Sequence, residues 1–182
     1  MDKNMMTDWP VLLGQMIQAK NAMVDVDPEY YDDYTLPSEH AEVADIEAFE
    51  RRLRESLPSE YRNFLTHANG WEKFYWDADL FGLRELAHAE GFFEHARRLV
   101  GEYESGNVLD EAGVEVRELI PIGAGDHSAT LFCLLRESSQ NPGQVLWLHH
   151  EVVERFTDFA EFFKAMIEGL LADVEAVRQG AV

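Results

Sequence analysis

Residues 57–70, Leu57-Pro58-Ser59-Glu60-Tyr61-Arg62-Asn63-Phe64-Leu65-Thr66-His67-Ala68-Asn69-Gly70, read as a short helix with a hard stop. Pro58 ends the preceding helix or opens this one, because it needs no amide hydrogen bond in a first turn. Tyr61, Phe64, Leu65 and Ala68 then fall on one face at intervals of three and four. Asn69-Gly70 supplies residues that tolerate the left-handed conformation a helix end requires, so the chain changes direction there.

Working outward, the upstream segment splits into three. Residues 8–24 carry a cap, a proline and Trp9, Leu12, Leu13, Met16 and Ile17 at helical spacing, which predicts an amphipathic helix that must dock on something. Residues 25–37, DVDPEYYDDYTLP, have two prolines and three tyrosines and read as an irregular acidic loop. Ser38 is placed to cap a further helix with Val43, Ile46, Phe49 and Leu53 facing inward.

Downstream, Leu80 to Leu83 form a short strand candidate, and a helix is predicted from about Leu86 to Tyr103, ended by Ser105-Gly106-Asn107. Three strand candidates follow, Val114–Ile122, Ala129–Arg136 and Gln144–His149, the last two separated by the turn-rich ESSQNPG. The final segment places Phe159, Phe162, Phe163, Met166, Ile167, Leu170, Leu171, Val174 and Val177 on one stripe, capped by Thr157 or Asp158. A stripe that wide is the face a helix lays on a sheet. The pattern predicts one domain over 1–182 of the α+β class: a mixed or mainly antiparallel sheet of about four to six strands, packed with helices.

Composition narrows the function. Fifteen Lys+Arg against 35 Asp+Glu give a net charge of −20, and residues 25–50 hold Asp25, Asp27, Glu29, Asp32, Asp33, Glu39, Glu42, Asp45, Glu47 and Glu50 with no Lys or Arg. Such a field repels phosphate backbones and anionic lipid and attracts basic partners, so direct nucleic-acid binding and membrane association are not expected. The single cysteine, Cys133, excludes an intramolecular disulfide. No apolar run is long enough for a membrane span and the N-terminus has no signal-like segment, which predicts a cytoplasmic protein.

Motifs for catalysis or cofactors fail on inspection. The Asp25, Asp27, Glu29 series begins like a calcium loop, but Tyr30 stands where glycine is needed and Leu36 where a bidentate glutamate is needed. Gly123-Ala124-Gly125 lacks the third glycine of a dinucleotide fingerprint and precedes a strand candidate where that fingerprint needs a helix. Cys133 lies in the apolar run ATLFCLL, where a thiol packs inertly. Of the seven histidines, His149-His150-Glu151 alternates faces on a strand, and His88 and His95 are two turns apart. No enzyme activity, metal or cofactor is predicted, with a site on Asp126, His127 and His149 as the weakest alternative.

The 57–65 segment with Asn69-Gly70 resembles the signature of the SUKH superfamily, also called Smi/Knr-like proteins. Ile46-Glu47-Ala48-Phe49-Glu50 resembles the helix before it, and Asp79-Leu80-Phe81-Gly82-Leu83 and Leu119-Ile120-Pro121-Ile122-Gly123 resemble its first two strands. Asp126, the strand Leu131–Leu135, and Phe159 with Phe162-Phe163 complete a pattern over about residues 40–171, leaving helix 8–24 and loop 25–37 as elaborations. The resemblance implies a non-catalytic role, most often that of a bacterial immunity protein neutralising a toxin such as a nuclease or deaminase; some relatives are regulatory adaptors. A basic protein partner, a cognate toxin domain, is therefore expected to dock on Asp25, Asp27, Tyr30, Tyr31, Asp32 and Asp33 in the loop and on Trp71, Trp76, Asp77 and Asp79 after the turn. For Trp71 and Trp76, core packing is the competing reading.

Overall fold

A computed structural model describes residues 7–28, 35–87 and 92–180. The elements run α1 (Trp9–Val26), α2 (Val43–Leu53), α3 (Ser59–Leu65), β1 (Trp71–Tyr75), β2 (Ala78–Leu80), α4 (Leu83–Ala87), α5 (Phe92–Ser105), α6 (Val108–Ala112), a 3₁₀ turn (Val116–Glu118), β3 (Leu119–Gly125), β4 (Leu131–Leu135), β5 (Val145–Leu148), β6 (Val152–Phe156) and α7 (Phe159–Arg178). The six strands form one antiparallel sheet in chain order; four of the five pairings are made by short connections, while β2 and β3 are joined through residues 81–118, which carry α4, α5, α6 and the 3₁₀ turn. The α+β class with a long C-terminal helix on the sheet is what the structure has.

Two helical layers cover the sheet. Phe132 packs edge-on to Phe162 of α7 at 4.9 Å, and Phe156 meets the same ring at 5.5 Å. On the other side Arg155 donates to the Ala112 carbonyl at 2.5 Å, the Tyr103 hydroxyl donates to the Ala129 carbonyl, and that hydroxyl accepts from the His150 amide at 3.0 Å. Strand residues alternate between these layers, so all of β4 is buried. That is why ATLFCLL is continuously apolar where a half-exposed strand would alternate.

The N-terminal helix is part of the core. Asp8 caps it by accepting from the Val11 amide, Pro10 sits in its first turn, and Trp9, Met16 and Ala19 are fully buried. Trp9 meets Phe64 at 5.2 Å, Phe163 at 5.4 Å and Phe159 at 5.6 Å. This aromatic cluster joins α1, α3 and α7. Helix α7 is capped by Asp158, which accepts from the Glu161 amide at 2.8 Å, and it buries the expected stripe except Leu171, 45% exposed, and Val177, half-buried.

Other boundaries moved. Helix α1 runs on to Val26, so Asp25 is helical and Asp27 is the C-cap. Ser38 does not cap α2; its amide bonds the Gly70 carbonyl at 3.0 Å. Val43 is 50% exposed, since Ile46 and Phe49 already supply the inward face. The 80–83 strand is shifted: β2 is Ala78–Leu80 and Leu83 opens α4. Asn69 drives this, its side-chain oxygen accepting from the Leu83 amide at 2.7 Å. Gly70 (φ 93°) and Gly82 are pressed together here; a Cβ on Gly82 would lie 2.1 Å from the Asn69 carbonyl oxygen. The helix from Leu86 to Tyr103 is described as two pieces, α4 and α5. Strand β3 starts only at Leu119, because Glu115 and Glu118 cap each other's backbone around the 3₁₀ turn.

Strands β1 and β6 went unread. In β1 the burial order is buried, exposed, exposed, buried, buried, and Lys73 has φ 47°, so an irregularity in pairing breaks the two-residue period. Strand β6 lies at the sheet edge and exposes most of its residues. The opposite edge, β1, is covered: the Thr35 hydroxyl donates to the Glu72 carbonyl and the Lys20 ammonium to the Lys73 carbonyl, which occupies groups that would otherwise template another strand.

Candidate functional site

The two-residue turn Trp76-Asp77 between β1 and β2, the β3–β4 loop and the start of α4 enclose a cleft of about 600 Å³. Its lining is acidic: Glu72, Asp77, Asp79, Glu85 and Asp126 against Lys73. The turn is held to the loop by Asp77, whose carboxylate accepts from the Ser128 hydroxyl at 3.0 Å and the His127 amide at 3.2 Å, while its carbonyl accepts from the Asp126 amide at 3.1 Å. Gly125 leaves room for this tie, since a Cβ there would lie 2.1 Å from the Ser128 hydroxyl.

Asp79 is the electrostatic centre of the cleft. Partial burial pushes its carboxyl above the usual aspartate range, the Lys73 amide pulls it back through a 2.7 Å hydrogen bond, and Glu72, Asp126 and Glu85 push it up again. Ionised Asp79 is thus held among like charges. A cation brought into the cleft relieves that repulsion, and this favours basic groups over neutral ones. Behind it, Lys20 of α1 is buried, 5.4 Å from the centre of the Trp71 ring.

The expected partner residues divide. Trp71, Trp76, Asp77 and Asp79 all line the cleft. Trp71 does so as a packed part of the cleft wall: it is 1% exposed, its ring lies oblique to Phe74 at 5.9 Å, and its indole N–H donates to the Thr35 carbonyl at 3.1 Å. Lys20 of α1 and the Thr35 carbonyl close over it. Asp25 is exposed on the last turn of α1 and Asp27 is half-buried at its C-cap; neither lines the cleft. Tyr30, Tyr31, Asp32 and Asp33 lie outside the described residues.

Glu72, Glu85 and His127 were not among the expected partner residues. No local signal marks them. Glu85 looks like an ordinary helix residue, and its carboxylate accepts from the Gly82 amide at 3.0 Å; the remaining cleft members arrive from separate strands and loops. Among the described residues, no group of three or more His, Cys, Asp or Glu is arranged to hold a metal, and no helix is long and apolar enough to cross a membrane. Asp126 and His127 pair at 3.2 Å, whereas His149 bonds the Thr130 hydroxyl at 3.2 Å. Burial pushes the Cys133 thiol far above its ordinary range.

A family model for the SMI1 / KNR4 family (SUKH-1) matches residues 40–165, well over half of the chain. The chain belongs to the SMI1/KNR4 (SUKH-1) family. In this SUKH-1 protein the match starts after α1 and takes in all six strands, so the acidic cleft lies on family framework while Lys20 behind it does not. A search of curated proteins finds no match.

Proposed function

We propose that this SUKH-1 protein is a non-catalytic binding protein of the immunity type, which neutralises a cognate toxin, a nuclease or deaminase domain, by direct protein–protein contact. One observation carries the reading: a cleft on the family framework whose carboxylates crowd Asp79 and raise its proton affinity, in a chain of net charge −20. A toxin domain that acts on nucleic acid needs a cationic surface, and that surface is what the cleft accepts. Steering by the whole-chain field then raises the encounter rate at low salt. The fit is to a folded basic domain, since the cleft is rimmed by a strand turn and two loops on a rigid sheet.

The test is co-expression with the product of the adjacent gene, followed by co-purification and a growth assay. Protection and a stable complex are expected for the native chain. Asp79→Lys together with Asp126→Lys should lose the complex and the protection and flatten the salt dependence of association. Full protection by that doubly reversed variant would count against the cleft, and failure of the native chain to protect would count against neutralisation.

A further inference from the structure

A second cleft, of about 420 Å³, lies on the other side of Trp76. Its walls are aromatic: Tyr75, Trp76 and Trp147 all line it. The Tyr75 ring is 6.4 Å from Trp76 and 5.7 Å from Trp147, and both indoles stand nearly perpendicular to it, at 84° and 82°. Tyr75 is 8% exposed, so its ring is held in the sheet beside both indoles. Trp147 is held against Phe132 at 6.0 Å, on a sheet whose strand β4 is fully buried. Three crossed rings on a rigid base are therefore preorganised.

The rim is anionic. Asp77 and Glu151 line the cleft, with no lysine or arginine among its lining residues, and the one imidazole, His149, is engaged with Thr130 at 3.2 Å. Aromatic faces present negative quadrupole potential, and carboxylates beside them add net charge; both attract a cation and neither rewards an anion. A planar guanidinium suits this better than an ammonium, because it stacks on an indole face while its forked N–H groups reach a carboxylate.

We infer that the Tyr75–Trp76–Trp147 cleft, rimmed by Asp77 and Glu151, is a binding site for an arginine side chain of the protein partner. The inference rests on the proposed partner-binding role and adds its chemistry: the partner presents an arginine beside its basic surface, and Trp76, shared by both clefts, sits between the two contacts. Trp76 stands at the turn in the left-handed conformation, φ 55°, that bulky residues rarely adopt.

The experiment titrates acetyl-Gly-Arg-Gly-amide into the full chain and follows the indole N–H resonances by NMR, with the neutral citrulline isostere as control. Saturable movement of the Trp76 and Trp147 signals is expected, with a dissociation constant on the order of a few mM. The citrulline peptide should leave them in place. Glu151→Gln, an exposed and conservative change, should weaken binding about threefold, and Trp147→Leu should abolish it. Equal shifts from the citrulline peptide, stationary indole signals, or unaltered affinity in Glu151→Gln would overturn the site. Peptide binding without any toxin complex would sink neutralisation and leave this site standing; a toxin complex with no peptide binding, undisturbed by Glu151→Gln, would sink the site alone.

Discussion

Replacing Lys20 with methionine removes a charge that the fold holds out of water. Lys20 is 0% exposed on α1, donates to the Lys73 carbonyl, and has its pKa pulled by burial from 10.5 down to about 8, against an upward pull from Asp79 and a further downward push from Lys73. A drop from 10.5 to about 8 corresponds to roughly 3 kcal/mol of differential stability between protonation states. Below about pH 8 both folded and unfolded chains carry the proton, so the folded state bears that cost in full. Between about 8 and 10.5 the unfolded chain still binds a proton that the folded chain has released, and stability rises with pH through this window. Methionine fills much of the stem's volume but leaves the Lys73 carbonyl without this donor, a loss of about 1 kcal/mol. Lys20→Met is therefore expected to be more stable than the native chain by about 1–2 kcal/mol at pH 7, and less stable above pH 10.5 where the neutral amine still donates. The Cys133 thiol, pushed up by burial, acts in the opposite sense, because the unfolded chain loses that proton first; this background is common to both proteins and cancels in their difference. Urea denaturation followed by tryptophan fluorescence at neutral and alkaline pH measures the crossover. A variant destabilised at pH 7, with the native pH slope unchanged, would refute the reasoning and show that the ammonium's hydrogen bond and ring contact outweigh its burial.

Two further outcomes are expected. Asp79→Asn keeps an acceptor for the Lys73 amide while removing a charge crowded by Glu72, Asp126 and Glu85. The protein should become slightly more stable at neutral pH, by less than ~1 kcal/mol, while its affinity for a basic partner falls; chemical denaturation and calorimetric titration read the two effects separately. The native carboxyl's raised proton affinity gives the same sign with pH: the cost of ionising it is present above its folded pKa and relieved below. Trp9→Ala should cost about 3–5 kcal/mol in a denaturation experiment, because the indole is 0% exposed and closes the ring cluster of Phe64, Phe159 and Phe163. A loss below ~1 kcal/mol would show that α1 is an appendage after all.

Local patterns carried much of this architecture. The Asp158 cap and the α7 stripe are complete within one helix, so their physics lies within a short window of sequence; α3, by contrast, ends at Leu65 with Thr66 as its C-cap, and Asn69-Gly70 serves instead to seat Gly82 and Leu83. The buried run of β4 and the inert thiol within it follow in the same way from apolar continuity. What tertiary structure alone decided is which side of each element meets another. Trp71 and Trp76 are five positions apart and chemically identical, yet one is packed beneath Lys20 of α1 and Thr35 in the wall of the acidic cleft while the other lines both clefts. Strand β1 is hidden because Lys73 adopts positive φ within it, which breaks the alternation that marks a strand. The acidic cleft hid because its carboxylates come from β1, β2, α4 and the β3–β4 loop, and the field at Asp79 is a sum over distances that no linear spacing records. Charge and periodicity are properties of the chain; burial and electrostatic crowding are properties of its packing.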